Sequence, residues 1–166
     1  IPCVEPLAVV SGRTSPLGDE LGSALITRHL KFSMPFRALY STTLKPETLQ
    51  RLVDALALLL VRLHNIGFFW GDVSLSNTLF VRDAGSFAAY LVDAETGRLY
   101  PSLTTGQRDH DLEIARVNIA GELMDLQAGG RMDEHIDPVA ISDRIMAAYA
   151  SLWHELNDPE MLDESE

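Results

Sequence analysis

Three polar residues near the middle of the chain have the types and spacing needed to move a phosphoryl group. Asp72 and Asn77 stand five positions apart in Phe69-Trp-Gly-Asp-Val-Ser-Leu-Ser-Asn-Thr-Leu-Phe80, and Asp93 follows the next apolar run, within Tyr90-Leu-Val-Asp-Ala-Glu-Thr-Gly97. Phosphoryl transfer asks for one carboxylate to accept the proton of the attacking hydroxyl. It also asks for an amide and a second carboxylate to hold magnesium on the phosphates. Taken singly, each residue has a plainer reading, because Asp and Asn shape turns and cap helices through their own side chains. What favours the chemical reading is the setting: a long apolar helix pattern before the loop and a strand ending in Asp after it.

The elements that must position these groups are readable. Pro46 suits a first helical turn, where its missing N–H is not needed. Leu49, Leu52, Val53, Leu56, Leu59, Leu60 and Leu63 then recur at helical spacing, predicting a helix over 46–66, about 30 Å long at 1.5 Å per residue. Leu58 and Val61 lie off that face, so burial on more than one side is expected. Gly67 supplies a left-handed stop, and His64 near the C-terminus reads as a favourable partner of the helix dipole. After the loop, Thr78–Val81 and Phe87–Val92 read as short strands joined by a hairpin at 82–86. Residues 97–106 form a connector, and a second helix is predicted from Gln107 to Gln127. Asp109, Asp111 and Glu113 would favour its start, Leu112, Ala115, Ile119, Leu123 and Leu126 would form its face, and Gly129-Gly130 would end it. Asp137-Pro138 opens a third helix with Ile141, Ile145, Ala148, Leu152 and Leu156 on one stripe.

Ahead of all this, residues 1–40 read as extended. Val4–Val10 and Ala24–Leu30 form a hairpin around the Ser11–Asp19 loop, followed by a connector from Lys31 to Tyr40. The tail from Asn157 is acidic and expected to fray. The fold class is therefore α+β and mainly helical, with strands over 1–40 and a helical unit over 41–166 that packs as one body.

Composition narrows the function. The chain has 166 residues, 46% hydrophobic and 22% charged, enough for one domain with a core. A net charge of −11, from 13 Lys+Arg against 24 Asp+Glu, argues against nucleic-acid binding and against docking on an anionic membrane. An anionic nucleotide would then be held by metal ions and backbone amides. The single cysteine, Cys3, allows no internal disulfide and fits a reducing, cytoplasmic compartment. The most apolar stretch, Leu52–Leu63, is too short to span a bilayer and is interrupted by Asp54 and Arg62.

Gly71-Asp72, Asn77-Thr-Leu-Phe80 and Leu91-Val-Asp93 together resemble the catalytic core of the protein-kinase-like superfamily, in its small-molecule and lipopolysaccharide kinase branch. The resemblance covers most of residues 4–128. It implies a C-terminal lobe with its hinge and a remnant of N-terminal lobe strands, and an ATP-dependent transfer to a hydroxyl of a small molecule or glycan. Asp72 would be the catalytic base, Asn77 and Asp93 the Mg2+ ligands, and Arg28, His29 and Leu30 would lie near the adenine-binding hinge. The chain begins with Ile and holds no Gly-rich phosphate loop and no Val-Ala-Ile-Lys strand. The implied remainder of the N-terminal lobe, with its phosphate-binding Lys, is thus expected upstream, and this piece alone is expected to turn over little.

Three departures from the pattern stand out. Trp70 replaces the usual His, Ser74 stands where a Lys or His often follows the base, and Ala94-Glu95 replaces Phe-Gly. With the short segment from Thr96 to Gly106, they argue against a regulated protein kinase. They also leave open a pseudokinase acting as a binding module. A third reading, a His-Asp metal-dependent phosphohydrolase, would use His110-Asp111 with His64; the strands at 78–92 count against it, and helix-start capping is the plain reading of His110 and Asp111.

Overall fold

The apolar stripe of residues 49–63 folds as α1, Pro46–Asn65, in the computed structural model, which describes residues 2–35, 38–39, 45–83 and 85–158. Leu52, Val53, Leu56, Leu59, Leu60 and Leu63 are fully enclosed, and Ala57 and Val61 on the other flank are too. This helix is buried on two sides because it packs against a later helix on one flank and against the site hairpin on the other. Leu58 faces out, at 40% exposure.

That later helix is α3, Pro138–Asn157, which follows α2, Thr105–Ala128. A capping box starts α2: Gln107 N donates to Thr104 Oγ1 at 3.2 Å, and Thr104 N donates to Gln107 Oε1 at 2.9 Å. The helix thus begins two residues before the expected Gln107, and its first turn holds no acid. Asp111 is not a helix-start group but lies two turns in and fully buried. Arg131 N donates to Leu126 O and Gly130 N to Gln127 O, closing α2 with a Schellman pattern. At the start of α3, Asp137 Oδ1 accepts from Val139 N at 2.9 Å and Ala140 N at 3.1 Å. Its stripe is rotated from the expected one: Ile141, Ile145 and Tyr149 are buried, whereas Leu156 is 57% exposed. The reason is polar, since Tyr149 turns inward to bond His64.

The sheets are small and antiparallel. β1, Pro6–Val10, pairs with β4, Ala24–Thr27, as expected. The intervening loop folds back on itself as β2, Arg13–Thr14, against β3, Glu20–Leu21. Beyond it, the connector contributes an unexpected edge strand, β5, Ser33–Pro35. Pro35 is tolerated there because an edge strand leaves some backbone donors unused. The edge strand pairs with β7, Thr78–Asp83, which pairs with β8, Ser86–Leu91, in the order β5-β7-β8. Two further short strands, β6 (Phe68–Phe69) and β9 (Arg98–Leu99), bracket the loop between them. Leu91 N donates to Pro2 O at 2.9 Å and Val4 N to Leu91 O at 3.2 Å, so the N-terminal hairpin is tied by its root to the site hairpin. The architecture is α+β and mainly helical. The expected division near residue 40 and the tail after Asp158 lie outside the described residues.

Gly67 fixes the entry to the loop. It sits at φ 81°, and a Cβ there would lie 2.1 Å from Tyr100 O, the neighbour whose amide donates to Gly67 O. Only glycine allows α1 to end so close to the β9 segment.

Candidate active site

The loop from Trp70 to Asn77 is held from below by one carboxylate. Asp111, fully buried on α2, accepts from Trp70 N at 2.8 Å and from Gly71 N at 2.7 Å. His64 Nε2 stands 3.1 Å from the same group, and His64 Nδ1 lies 2.8 Å from Tyr149 Oη. An ionised Asp111 can only accept, so His64 donates through Nε2 and takes the Tyr149 O–H at Nδ1. One polar chain thus runs from α3 through the end of α1 and α2 to the loop backbone. His64 is a buried relay in that chain rather than a partner of the helix dipole.

Burial, against the pull of Arg108, pushes the Tyr149 phenol well above its usual value of 10.0 and keeps it a donor. A raised folded value means that stability is flat below about pH 10 and falls as pH rises beyond it, because the unfolded phenol ionises first. Tyr149→Phe is expected to cost about 1 kcal/mol at pH 8. Urea unfolding at pH 8 and pH 11 should show the gap to the native protein narrowing at the higher pH. A constant gap would mean that the phenol is not the alkaline-sensitive group.

Above this base the loop presents its chemistry. Asp72 is half-buried, and both of its carboxylate oxygens are held by amides: Asn77 Nδ2 donates to Oδ2 at 2.9 Å, and Asn118 Nδ2 donates to Oδ1 at 3.2 Å. Asn77 Nδ2 also reaches Asp72 O at 3.1 Å. With its nitrogen committed, Asn77 has its Oδ1 directed away from Asp72. Thr78 pairs with Leu91, and Val92 N donates to Asn77 O at 3.1 Å, so Asn77 stands opposite Val92, the residue before Asp93, at the open end of the β7–β8 hairpin. Asp93 Oδ1 accepts from Glu95 N at 3.0 Å, leaving Oδ2 with no protein donor among the described residues. Asn77 and Asp93 each carry a hard oxygen donor of the kind Mg2+ takes, but they border different cavities, Asn77 the one beside Asn118 and Asp93 the one beside β4. No cluster of three His, Cys, Asp or Glu side chains able to hold a metal occurs among the described residues.

The departures at Trp70 and Ser74 have structural causes. Trp70 is fully buried, its Nε1 donates to Asp93 O at 2.9 Å, and Thr96 Oγ1 donates to Trp70 O at 2.9 Å. The indole therefore couples the loop to the segment carrying Asp93, where an imidazole would be shorter. Ser74 faces inward: its Oγ accepts from Asn77 N at 3.2 Å and its carbonyl from Thr78 Oγ1 at 3.0 Å, which fixes the turn that presents Asn77. From α2, Glu122 accepts from Leu75 N at 2.5 Å and from Ser76 Oγ at 2.7 Å.

Two cavities flank the loop. One of about 570 Å³ lies between the N-terminal hairpin and β8, lined by Leu25, Thr27, Leu63, Phe68 and Leu91 with Asp93 among its polar groups. Arg28, His29 and Leu30 are not in its lining; they lie past the end of β4, with Arg28 Nε bonded to Glu5 at 2.6 Å. The other, about 540 Å³, opens beside Asp72 and Asn77 against Asn118 and Glu122. His110 is exposed and stacks on Phe69 with ring centroids 6.0 Å apart. Since the two oxygens of Asp111 already take three donors, His110-Asp111 does not form the metal pair that a hydrolase needs.

Asp111, His64, Tyr149, Asn118 and Glu122 are the site-building residues that the motif did not announce. A signal for the first three was present, because each continues an apolar stripe: Asp111 precedes Ala115 and Ile119 by helical steps, His64 follows Leu56 and Leu60, and Tyr149 follows Ile141 and Ile145. A charged or polar group on a buried face must be paired.

The arrangement of loop, hairpin and three helices defines a kinase-like fold. Among solved structures the chain is similar to WaaP in complex with acyl carrier protein: 14% identity, a TM-score of 0.57, and coverage of 95% of this chain and 70% of that one. No protein-family model matches the chain, and no curated protein does. At that identity the likeness speaks for the fold alone, and the acyl carrier protein is WaaP's partner.

Proposed function

We propose that the chain carries the catalytic loop of an ATP-dependent phosphotransferase acting on a hydroxyl of a small molecule or glycan. The observation that carries this is the treatment of Asp72: a half-buried carboxylate fixed through both oxygens by Asn77 and Asn118, on a backbone pinned by Asp111. Asp72 would take the proton of the acceptor hydroxyl. The acceptor oxygen bonds the γ-phosphorus, the bond to the bridging oxygen breaks, and ADP leaves. Asn77 and Asp93 would hold Mg2+, which when bound neutralises charge on the phosphates. The largely apolar cavity beside β4 and β8 has room for an adenine, since sites of about 300–1,000 Å³ hold small ligands. Adenine would then lie against Leu25 and Thr27, next in the chain to Arg28, His29 and Leu30, whose backbone is the hinge implied by the resemblance.

An impaired, binding-only protein would need a gap in the catalytic set. Trp70 supplies none, since it builds the loop, whereas Ser74 fixes the turn but brings no cation to the phosphates, which keeps the binding-only reading as the alternative. Use of ATP fits a cytoplasmic setting, and no helix among the described residues is long and apolar enough to cross a membrane.

The test is thermal unfolding of the full-length protein with ATP. ATP with Mg2+ should raise the melting temperature, ATP with a chelator should raise it less, and Asp93→Ala should remove the Mg2+-dependent part. A Mg2+-dependent rise of the same size in Asp93→Ala would place the metal elsewhere.

A further inference from the structure

The inner face of α2 holds the loop at more than one point. Asp111 takes the amides of Trp70 and Gly71, Asn118 donates to the Asp72 side chain and, at 3.3 Å, to Val73 O, and Glu122 takes Leu75 N and Ser76 Oγ. These residues stand at i, i+7 and i+11, and seven residues are close to two turns of 3.6, so Asp111 and Asn118 share a face. Asp111 and Glu122 set backbone and turn. Asn118 alone among them touches the carboxylate that would do the chemistry.

We infer that Asn118 is the positioning residue that aims Asp72 at the acceptor, an inference that rests on the phosphotransferase reading above. Oδ2 of Asp72 is turned to Asn77, on the side of the proposed metal ligands. Asn118 holds Oδ1, and Asp72 and Asn118 both line the 540 Å³ cavity, which has Ser74, Ser76, Val117 and Gly121 in its other walls. A carboxylate oxygen has two lone pairs. With one fixed by the Asn118 amide, the second has a set direction in which to receive an acceptor proton. Without Asn118 the carboxylate is free to turn about the side-chain bond, with Asn77 its only side-chain partner among the described residues. The acceptor is thereby placed in the cavity on the α2 side of the loop, which shares no lining residue with the cavity bounded by β4 and β8.

The experiment is steady-state kinetics of the full-length protein with ATP and a hydroxyl acceptor, or with water as acceptor if ATP hydrolysis is the only measurable turnover. Misaiming a reacting group by about 1 Å costs on the order of 100-fold. Asn118→Ala should therefore lower kcat by about 10–100-fold with the KM for ATP unchanged, and Asn118→Asp by more, because it sets a second carboxylate against Asp72. Asn118→Gln keeps the donor on a longer arm and should recover part of the loss. Thermal unfolding separates this from misfolding: the half-buried surface position should keep all three variants folded, and a variant that does not fold is replaced by Asn118→Ser, which also lacks the reach. Loss of kcat in Ala and Asp with partial recovery in Gln supports the inference. Equal kcat in all variants, or a rise in the KM for ATP with kcat intact, overturns it. If the native protein shows no Mg2+-dependent ATP turnover, the phosphotransferase reading itself fails; if it turns over and Asp72→Asn does so equally well, the base role of Asp72 falls and the positioning role with it. If Asp72→Asn is inactive while Asn118→Ala is fully active, only the positioning role falls.

Discussion

Replacing Asp111 with alanine is expected to cost about 3–5 kcal/mol of folding stability and to release the loop that carries Asp72. The magnitude follows from what is left behind. Trp70 N, Gly71 N and His64 Nε2 all converge on this one fully buried carboxylate, at 2.8, 2.7 and 3.1 Å. An unmet buried donor costs about 1–3 kcal/mol, and alanine would strand up to three of them. Against a typical total of about 5–15 kcal/mol, the loss is a large fraction of what holds the chain folded. Asp111→Asn should recover little, because its NH2 group must face one of three donors. Urea unfolding gives the energy, and hydrogen exchange at the Gly71 amide gives the location, since local release should speed that exchange beyond the global loss. A cost below about 1 kcal/mol, or a Gly71 amide still as protected as in the native protein, would show that the loop is held by something else.

The same residue shows where reading the sequence stops. Asp72, Asn77 and Asp93 stood out by type and by spacing along the chain, and the structure joins Asn77 to Asp72 through a side-chain bond and to Val92, the residue before Asp93, through a backbone bond. The three helices were visible because leucines, isoleucines and alanines repeat with the helical period over about 20 residues each. Asp111 has no local partner: its contacts lie 40, 41 and 47 positions away in the chain. A carboxylate near a helix start has a cheap local explanation in the dipole, and that explanation hides the long-range one. Tyr149 and His64 were hidden likewise, by an alternative stripe through Ala148 and Leu152 and by a helix end that welcomes a histidine. The short strands β2, β3, β5, β6 and β9 were missed for a different reason. Two or three residues have no period, so only their partners define them.

Trp70 carries the comparison further. Its type departs from the motif, which on sequence alone counts against an intact site. In place it does three jobs at once: its amide reaches Asp111, its carbonyl receives Thr96 Oγ1, and its indole reaches the Asp93 carbonyl. The backbone around the proposed base and the backbone around the proposed metal ligand are therefore tied together through one residue. A departure from a pattern argues for lost function only when the position no longer connects the same parts.

Asp72→Asn is expected to lower kcat of the full-length protein by about 10²–10⁴-fold, the usual contribution of a positioned general base, while Mg2+-dependent stabilisation by ATP persists. The lower end is favoured physically. In a loose phosphoryl-transfer transition state the acceptor oxygen carries little bond to phosphorus, so its proton leaves late and much of the work of the carboxylate is orientation. The substitution is close in volume, and the side chain is only half-buried, so folding should shift by no more than about 1 kcal/mol. The new amide still accepts one hydrogen bond, yet its NH2 must face either Asn77 Nδ2 or Asn118 Nδ2, both of which are donors. Aim and basicity are therefore lost together. Asp93→Ala is expected to behave differently, losing Mg2+-linked nucleotide binding first and turnover as a consequence. Measured side by side, the two variants separate a base from a metal ligand: one leaves binding and removes chemistry, the other removes both. A variant Asp72→Asn that keeps more than about a tenth of kcat would assign the acceptor proton to solvent and leave Asp72 as a structural partner of the two asparagines.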